Sequence, residues 1–438
     1  MIPFDADSVA ASITERFEQR GIAVSAGGGF AYRHDEVIVT VPPGLSEPDI
    51  DGERLGDQQP LDEGSTHVLY RVGNPLEMVD SLRKAGHQAS VNHVLFGEPV
   101  YFGNPVYFGN PVYFGNPVYF GNPVYFGNPF DRSSARPADE PGSWPDRGEC
   151  VGARPRVLVL DTGLSTESQL GEPAHPRLKG HAVVHPNWTT VSTASPTLDL
   201  SRIDEDEMDV DGDGFLDRQS GHGTFIAGII RRHAPDAEIR TEGVLSSFGD
   251  GDDWDISEGL AEGLGQGEQI DVVNLSLGGY TDDDQPPPVL ADAIVQARNQ
   301  GAAVVAAAGN AGSCRRFWPA ALSGVIGVGA TYCGRRAWFS NFGPWVRACA
   351  PGVDVVSTFF DFDGAASSVA GVDPDRYDGW AMWSGTSFAA PQVAAAIAKR
   401  MCDSGLTASE AAVKVIEEGT PVEDLGMLVT SDPSGDVS

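Results

Sequence analysis

The sequence predicts an α/β protein, with one parallel sheet carrying helices on both faces behind a small α+β domain. Three observations predict it. Between residues 151 and 420, strand-length apolar runs alternate with helix-like segments, the pattern of a parallel sheet connected through helical crossovers. Runs such as Arg156-Val157-Leu158-Val159-Leu160 are continuously apolar, which suits strands buried on both faces. Ahead of them, residues 30 to 99 read as strands, a helix and a further strand, an α+β arrangement.

Taken in order, residues 1–29 form an amino-terminal segment with a short helical pattern at 8–20. Met1-Ile2-Pro3-Phe4-Asp5-Ala6-Asp7 has neither a basic n-region nor an apolar h-region, so a cytoplasmic protein with reduced thiols is expected. The five cysteines, at 150, 314, 333, 349 and 402, are too sparse for a disulfide framework. Cys314 and Cys333 are the pair that could close a loop in an oxidising compartment. In the 30–99 domain the strand-like runs are Glu36–Val41, His67–Val72 and Ala89–Leu95, with a helix-like run from Pro75 to Gly86.

A hexapeptide tract follows at 100–130. Tyr-Phe-Gly-Asn-Pro-Val begins at Tyr101, Tyr107, Tyr113 and Tyr119, and the fifth unit closes as Tyr125-Phe126-Gly127-Asn128-Pro129-Phe130. A looser copy, Leu95-Phe96-Gly97-Glu98-Pro99-Val100, precedes it. Proline at every sixth position removes an amide donor and keeps the preceding residue out of helix, so long helices and central strands are excluded. Three roles are open: a spacer, a processing region that crosses a substrate cleft, or repeated cores of a peptide precursor acted on by a modifying enzyme.

Residues 131–150, rich in Pro, Ser, Arg and Asp, read as a linker, and 421–438 as a tail. Within 151–420, strands are expected at 238–245, 271–277, 303–308 and 325–330, with helices at 254–265 and 289–300. Three short motifs occupy the edges of these elements. Asp161-Thr162-Gly163 ends the first strand; Ser220-Gly221-His222-Gly223-Thr224 opens a helix; Gly385-Thr386-Ser387-Phe388-Ala389-Ala390-Pro391 opens another, rich in alanine. Asp, His and Ser at strand ends and helix starts can form a nucleophile, its base and the carboxylate that orients the base. Pro391 is expected in the first turn, where a missing amide hydrogen costs little.

In these three motifs, and in their order, the chain resembles the subtilase family. The resemblance implies a subtilisin-like sheet, and a serine endopeptidase using Asp161, His222 and Ser387. It also implies that Asn310, at the end of Ala303–Gly309, donates to the oxyanion, and that Ser276, Leu277 and Gly278 pair with an extended substrate. The 30–99 domain is similar in position to that family's inhibitory propeptide, so self-processing is implied, with the chain's own amino-terminal region as inhibitor or substrate.

Asp209, Asp211, Asp213 and Asp217 take the first, third, fifth and ninth places of an EF-hand-like loop, but Ser220 stands where its bidentate Glu would be. Calcium is the candidate ion there; catalysis itself is expected to need no cofactor. The formal net charge of -33 argues against nucleic acid and anionic membranes as partners, which leaves a peptide or protein substrate. Two alternatives to a general endopeptidase are a narrow processing protease fused to its repeat-bearing precursor, and a catalytically idle module that holds an extended peptide.

Overall fold

The computed structural model describes residues 17–25, 29–58, 64–97, 133–167, 173–184, 208–210, 215–265, 267–364 and 376–429. The expectations for residues 1–16, for the hexapeptide tract and for the tail beyond 429 fall outside these.

The amino-terminal part contains β1 (Ile22–Val24), β2 (Ala31–Val41), β3 (Glu53–Gln58), β4 (Thr66–Arg71), α1 (Pro75–Lys84) and β5 (Gln88–Gly97). Pro75 begins α1, where its fixed φ favours the helix, and Asn74 accepts a hydrogen bond from the Glu77 amide as the cap. Val79 and Leu82 of α1 pack on Val37, Val39, Val68 and Val91, covering one face of the sheet. On the other face, Ile38 and Leu69 meet Trp254 and Val289 from the larger part of the chain.

That larger part begins with β6 (Arg136–Pro137), β7 (Arg156–Asp161), β8 (Ala182–Val184), α2 (His222–His233), β9 (Glu238–Gly243) and β10 (Asp250–Asp252). It continues through α3 (Asp253–Gly265), β11 (Val272–Leu275), β12 (Leu277–Gly278), α4 (Pro288–Asn299), β13 (Ala303–Ala307) and β14 (Ile326–Tyr332). After β15 (Arg335–Arg336), β16 (Val346–Pro351), β17 (Val355–Asp363) and β18 (Arg376–Trp383) come α5 (Thr386–Ser404) and α6 (Ala408–Glu417). Strands β19 (Thr420–Val422) and β20 (Gly426–Leu428) complete the described chain.

The main sheet has the order β19-β20-β16-β14-β13-β11-β7-β9-β8, and every neighbour from β20 to β8 is parallel. Successive residues of β7 serve opposite layers. Val157 and Val159 pack with Phe225, Ile229, Val393 and Ile397 of α2 and α5. Leu158 and Leu160 pack with Ile256, Leu260 and Ile294 of α3 and α4. A two-residue side-chain period thus yields a sheet buried on both faces.

The structure departs from the sequence expectations in three places. Residues 131–150 are not all linker, because β6 joins β17 and β18 in a separate antiparallel sheet. The sheet extends past residue 420, since β20 adds to β16. Cys150 and Cys402 form a disulfide, while Cys314, Cys333 and Cys349 are free. The expectation of reduced thiols thus fails at Cys150 and Cys402, and the Cys314–Cys333 bridge is not formed. The bonded pair is 252 residues apart in sequence, and the hydrogen bond from the Val151 amide to the Cys402 carbonyl also lays that segment against α5. Breaking this bridge in a Cys150→Ser/Cys402→Ser variant is expected to cost about 2–4 kcal/mol, read as a lower thermal midpoint without reductant. Equal midpoints would deny it any stabilising role.

Candidate active site

At the carboxyl end of β7, Asp161 is fully buried. Its Oδ1 accepts the Thr162 amide at 2.8 Å and lies 2.6 Å from Nδ1 of His222, the first residue of α2. An ionised carboxylate only accepts, so Nδ1 carries the proton and Nε2 of the neutral ring is the acceptor. Asp161 Oδ2 and His222 Nε2 are both buried and have no hydrogen-bond partner among the described residues. Trp383 and Phe388 wall the imidazole, with ring centroids 5.6 and 5.4 Å away.

Glycine is required on both sides of His222. At Gly221, whose φ is +81°, a Cβ would lie 2.2 Å from the Phe359 ring, and at Gly223 one would lie 2.1 Å from the Gly163 carbonyl oxygen. A larger residue at 223 would push α2 away from the end of β7 and lengthen the Asp161–His222 contact.

Ser387 is the second residue of α5 and is also fully buried. Its Oγ donates to the Ser276 carbonyl at 3.1 Å, while Ser276 Oγ donates to the Ser387 carbonyl at 2.8 Å. The second bond explains Pro391. This proline lies beyond the first turn expected for it, inside α5, and as residue i+4 it cannot supply the amide that would pair with the Ser387 carbonyl. The Ser276 hydroxyl fills that gap and ties the helix start to the strand edge. Asn310 lies just past β13, where its Oδ1 accepts the Thr386 amide at 3.0 Å, making Nδ2 the donor end of the carboxamide. Asp161, His222, Ser387 and Asn310 thus come from one edge of the main sheet. Phe388, adjacent to Ser387, touches the imidazole.

Of the edge expected at Ser276, Leu277 and Gly278, the last two residues are already paired. The end of β5 lies as a central strand between β10 and β12 and is antiparallel to both. Asp250 faces Phe96 and Gly251 faces Leu95; across the other side, Leu277 faces Gly97 and Gly278 faces Phe96. The Gly97 amide donates to the Gly249 carbonyl at 2.9 Å, and Gln219 Nε2 donates to the Gly97 carbonyl at 2.9 Å.

Opposite charges face each other across this contact. Arg33 pairs with Asp252 at 2.7 Å, Arg20 with Asp250 at 3.0 Å and Arg83 with Asp282 at 2.6 Å. His93 bridges Asp253 and Asp282, at 2.9 Å from Nδ1 and 3.1 Å from Nε2. Burial lowers its proton affinity, but the two carboxylates outweigh burial and hold the ring's pKa up at about 9. Burial, together with the nearby Asp252 carboxylate, raises Glu36 to about 7.

The expected calcium loop is only partly described. Asp211 and Asp213 lie outside the described residues. Asp217 is buried, and its Oδ2 accepts the Val210 amide at 3.1 Å and the Ser247 hydroxyl at 2.6 Å, so that oxygen already serves as a structural acceptor. Among the described residues, no group of three or more His, Cys, Asp or Glu is placed to hold a metal ion.

Several residues of the site went unread in the sequence. Gln219 and the β10 strand wall the cleft, yet Gly249-Asp250-Gly251-Asp252 carries no apolar pattern from which a strand could be inferred. Ser276 was assigned to substrate pairing alone, and its bonds to Ser387 could not be seen in the motif.

Residues 152–415 match the sequence pattern of the Subtilase family. Among the curated relatives, the thermophilic serine proteinase of Bacillus sp. (strain AK1) is 34% identical over 54% of this chain and 50% of its own length. Thermitase of Thermoactinomyces vulgaris is 31% identical over 61% of this chain and 81% of its own length. The chain thus spans about half the length of the first of these relatives. A solved structure of a protease from Pseudoalteromonas arctica PAMC 21717, 24% identical, superposes with a TM-score of 0.50 over 65% of this chain and 89% of that one; this is a likeness of fold. With the family pattern spanning the strand that ends in Asp161, the helix that begins at His222 and the helix that carries Ser387, the chain belongs to the subtilase family.

Proposed function

We propose that this chain is a serine endopeptidase, with residues 30–97 acting as a built-in inhibitor of its own cleft. The observation that carries the reading is the buried Asp161–His222 hydrogen bond of 2.6 Å, set beside the start of the helix bearing Ser387. His222 Nε2 is the one open acceptor of the ring. In the reaction the Ser387 hydroxyl turns from the Ser276 carbonyl toward Nε2, gives up its proton and forms a C–O bond to a peptide carbonyl carbon. Asp161 stabilises the imidazolium. The Ser387 amide, at the positive end of α5, and Asn310 Nδ2 donate to the oxyanion.

Collapse of the intermediate breaks the C–N bond, and His222 returns the proton to the leaving amine. Water then hydrolyses the acyl-serine with the same base. Every step uses protein groups and water, so no cofactor is required; a calcium ion held by Asp209, Asp211 and Asp213 would serve only to order the segment ahead of His222.

The antiparallel seating of Leu95–Gly97 supports a peptide substrate bound as an added strand. It also supports self-processing at a bond beyond Gly97. A fluorophosphonate probe is expected to label the wild-type chain, but not Ser387→Ala. Amino-terminal sequencing should find a cut in the wild type alone. Labelling that survives Ser387→Ala would refute the assignment of the nucleophile, and an identical cut in both proteins would remove self-processing.

A further inference from the structure

Resting on the protease reading, we propose that Gln219 sets the choice of substrate, admitting only peptides with glycine immediately before the residue whose carbonyl Ser387 attacks. The seated strand Leu95–Gly97 shows how an extended peptide lies in the cleft, and Gly97 is the residue of it that Gln219 meets.

Backbone conformation gives no reason for glycine at position 97. It ends the extended strand β5 and lies outside the left-handed region that favours glycine. The reason is steric. A Cβ on Gly97 would lie 1.8 Å from Gln219 Oε1 and 2.8 Å from Gln219 Cδ, well inside contact distance. The side chain has no room to withdraw across the pair of strands. The Gly97 amide donates to the Gly249 carbonyl at 2.9 Å, and a Cβ on Gly249 would lie 2.1 Å from both Cδ and Nε2 of the same glutamine. One fully buried carboxamide thus covers two opposed glycines and fills the space where two side chains would stand. Its main chain is pinned as well: the Gln219 amide donates to the Ser247 carbonyl at 2.7 Å, and the His222 amide donates to the Gln219 carbonyl at 3.0 Å.

The same side chain grips what it screens. Gln219 Nε2 donates to the Gly97 carbonyl at 2.9 Å. Turning the carboxamide aside to admit an alanine would give up this bond and force the glutamine to repack within a closed wall. The two preceding places are not restricted in this way. Leu95 packs in a cluster with Leu245, Ile256 and Leu277, and Phe96 has the Arg218 guanidinium 5.7 Å from its ring centre, so both places take large side chains. In the antiparallel register Gly97 faces Leu277. The next residue of a substrate strand then faces Ser276, whose carbonyl accepts the Ser387 hydroxyl at 3.1 Å, which brings that residue's carbonyl carbon to the nucleophile. Glycine is therefore read one residue ahead of the bond formed to Ser387, close enough for a displaced strand to be felt in the chemical step.

The test compares two fluorogenic peptides, the coumarin amides of acetyl-Leu-Phe-Gly-Xaa and acetyl-Leu-Phe-Ala-Xaa with the same residue mixture at Xaa, on the full wild-type chain and on Gln219→Ala. The readout is the ratio of kcat/KM within each protein, glycine peptide over alanine peptide, in which competition from the seated strand cancels. The wild type is expected to favour glycine at least about tenfold, and Gln219→Ala to bring the ratio within about threefold of unity. The substitution keeps both main-chain bonds of residue 219; if it costs cooperative unfolding, Gln219→Ser takes its place. Equal rates on the two peptides in the wild type, or a glycine preference that Gln219→Ala leaves intact, overturns this inference alone. Absence of both hydrolysis and fluorophosphonate labelling in every chain overturns the protease reading, and this inference with it.

Discussion

Replacing either Ser387 or His222 by alanine is expected to lower kcat for a chromogenic peptide by about 10⁶, and replacing both should cost no more. The reason is that the hydroxyl and imidazole act as one unit: neither a nucleophile without a base nor a base without a nucleophile opens the covalent path. Asp161→Asn should cost about 10⁴, since a neutral carboxamide cannot stabilise the imidazolium that forms during attack. That stabilisation is large here because Asp161 and His222 are both fully buried, where charge is poorly screened. Asn310→Ala should fall between about 10² and 10³ in kcat with little change in KM, as expected of a donor that meets charge present only in the transition state. Steady-state kinetics on the four variants and the Ser387/His222 double variant checks the series. Additive losses in the double variant would mean that the two side chains do not share one step.

The sequence carried the chemistry further than it carried the cleft. Asp161, His222, Ser387 and Asn310 stand within two residues of a glycine and at the ends of strands or the starts of helices, where the backbone requirements of the site leave a local trace. Strand alternation in the main sheet was equally legible, because burial on both faces demands unbroken apolar runs such as Val157–Leu160. The seating of β5 between β10 and β12 was not legible. It depends on β5 meeting β10 and β12, contacts between distant segments in which the backbone supplies the pairing and the side chains of Asp250 and Asp252 point to other partners. The Cys150–Cys402 bridge and the place of Pro391 opposite the Ser276 hydroxyl were hidden for the same reason. Each is a local residue choice whose cause is a remote neighbour.

Raising the pH from 6.5 to 9 is expected to loosen the amino-terminal domain from the cleft by about 80-fold, through His93. In the docked state two carboxylates hold its pKa at about 9, against about 6.5 for a solvated imidazole. The docked pKa is the raised one, so docking takes up a proton. The stabilisation is fully present below about 6.5 and is lost as pH rises through 9, a change of about 3 kcal/mol. The surrounding charges set the window. Glu36, raised to about 7, works in the same direction at lower pH, whereas Asp282, held near 2 chiefly by His93 and Arg83 against its burial, favours docking until strong acid protonates it. Inhibition should therefore be tightest between about pH 4 and 6. His93→Gln removes the titrating cation and leaves Asp253 buried without it, so it should be looser at pH 6 and nearly flat from 6.5 to 9. The measurement is the ratio of fluorophosphonate labelling rates, His93→Gln over wild type, at each pH, which cancels the pH dependence of the catalytic groups common to both. A large ratio at pH 6 that falls toward one at pH 9 is the expected result, and a ratio that stays constant across this range would show that His93 does not gate the cleft.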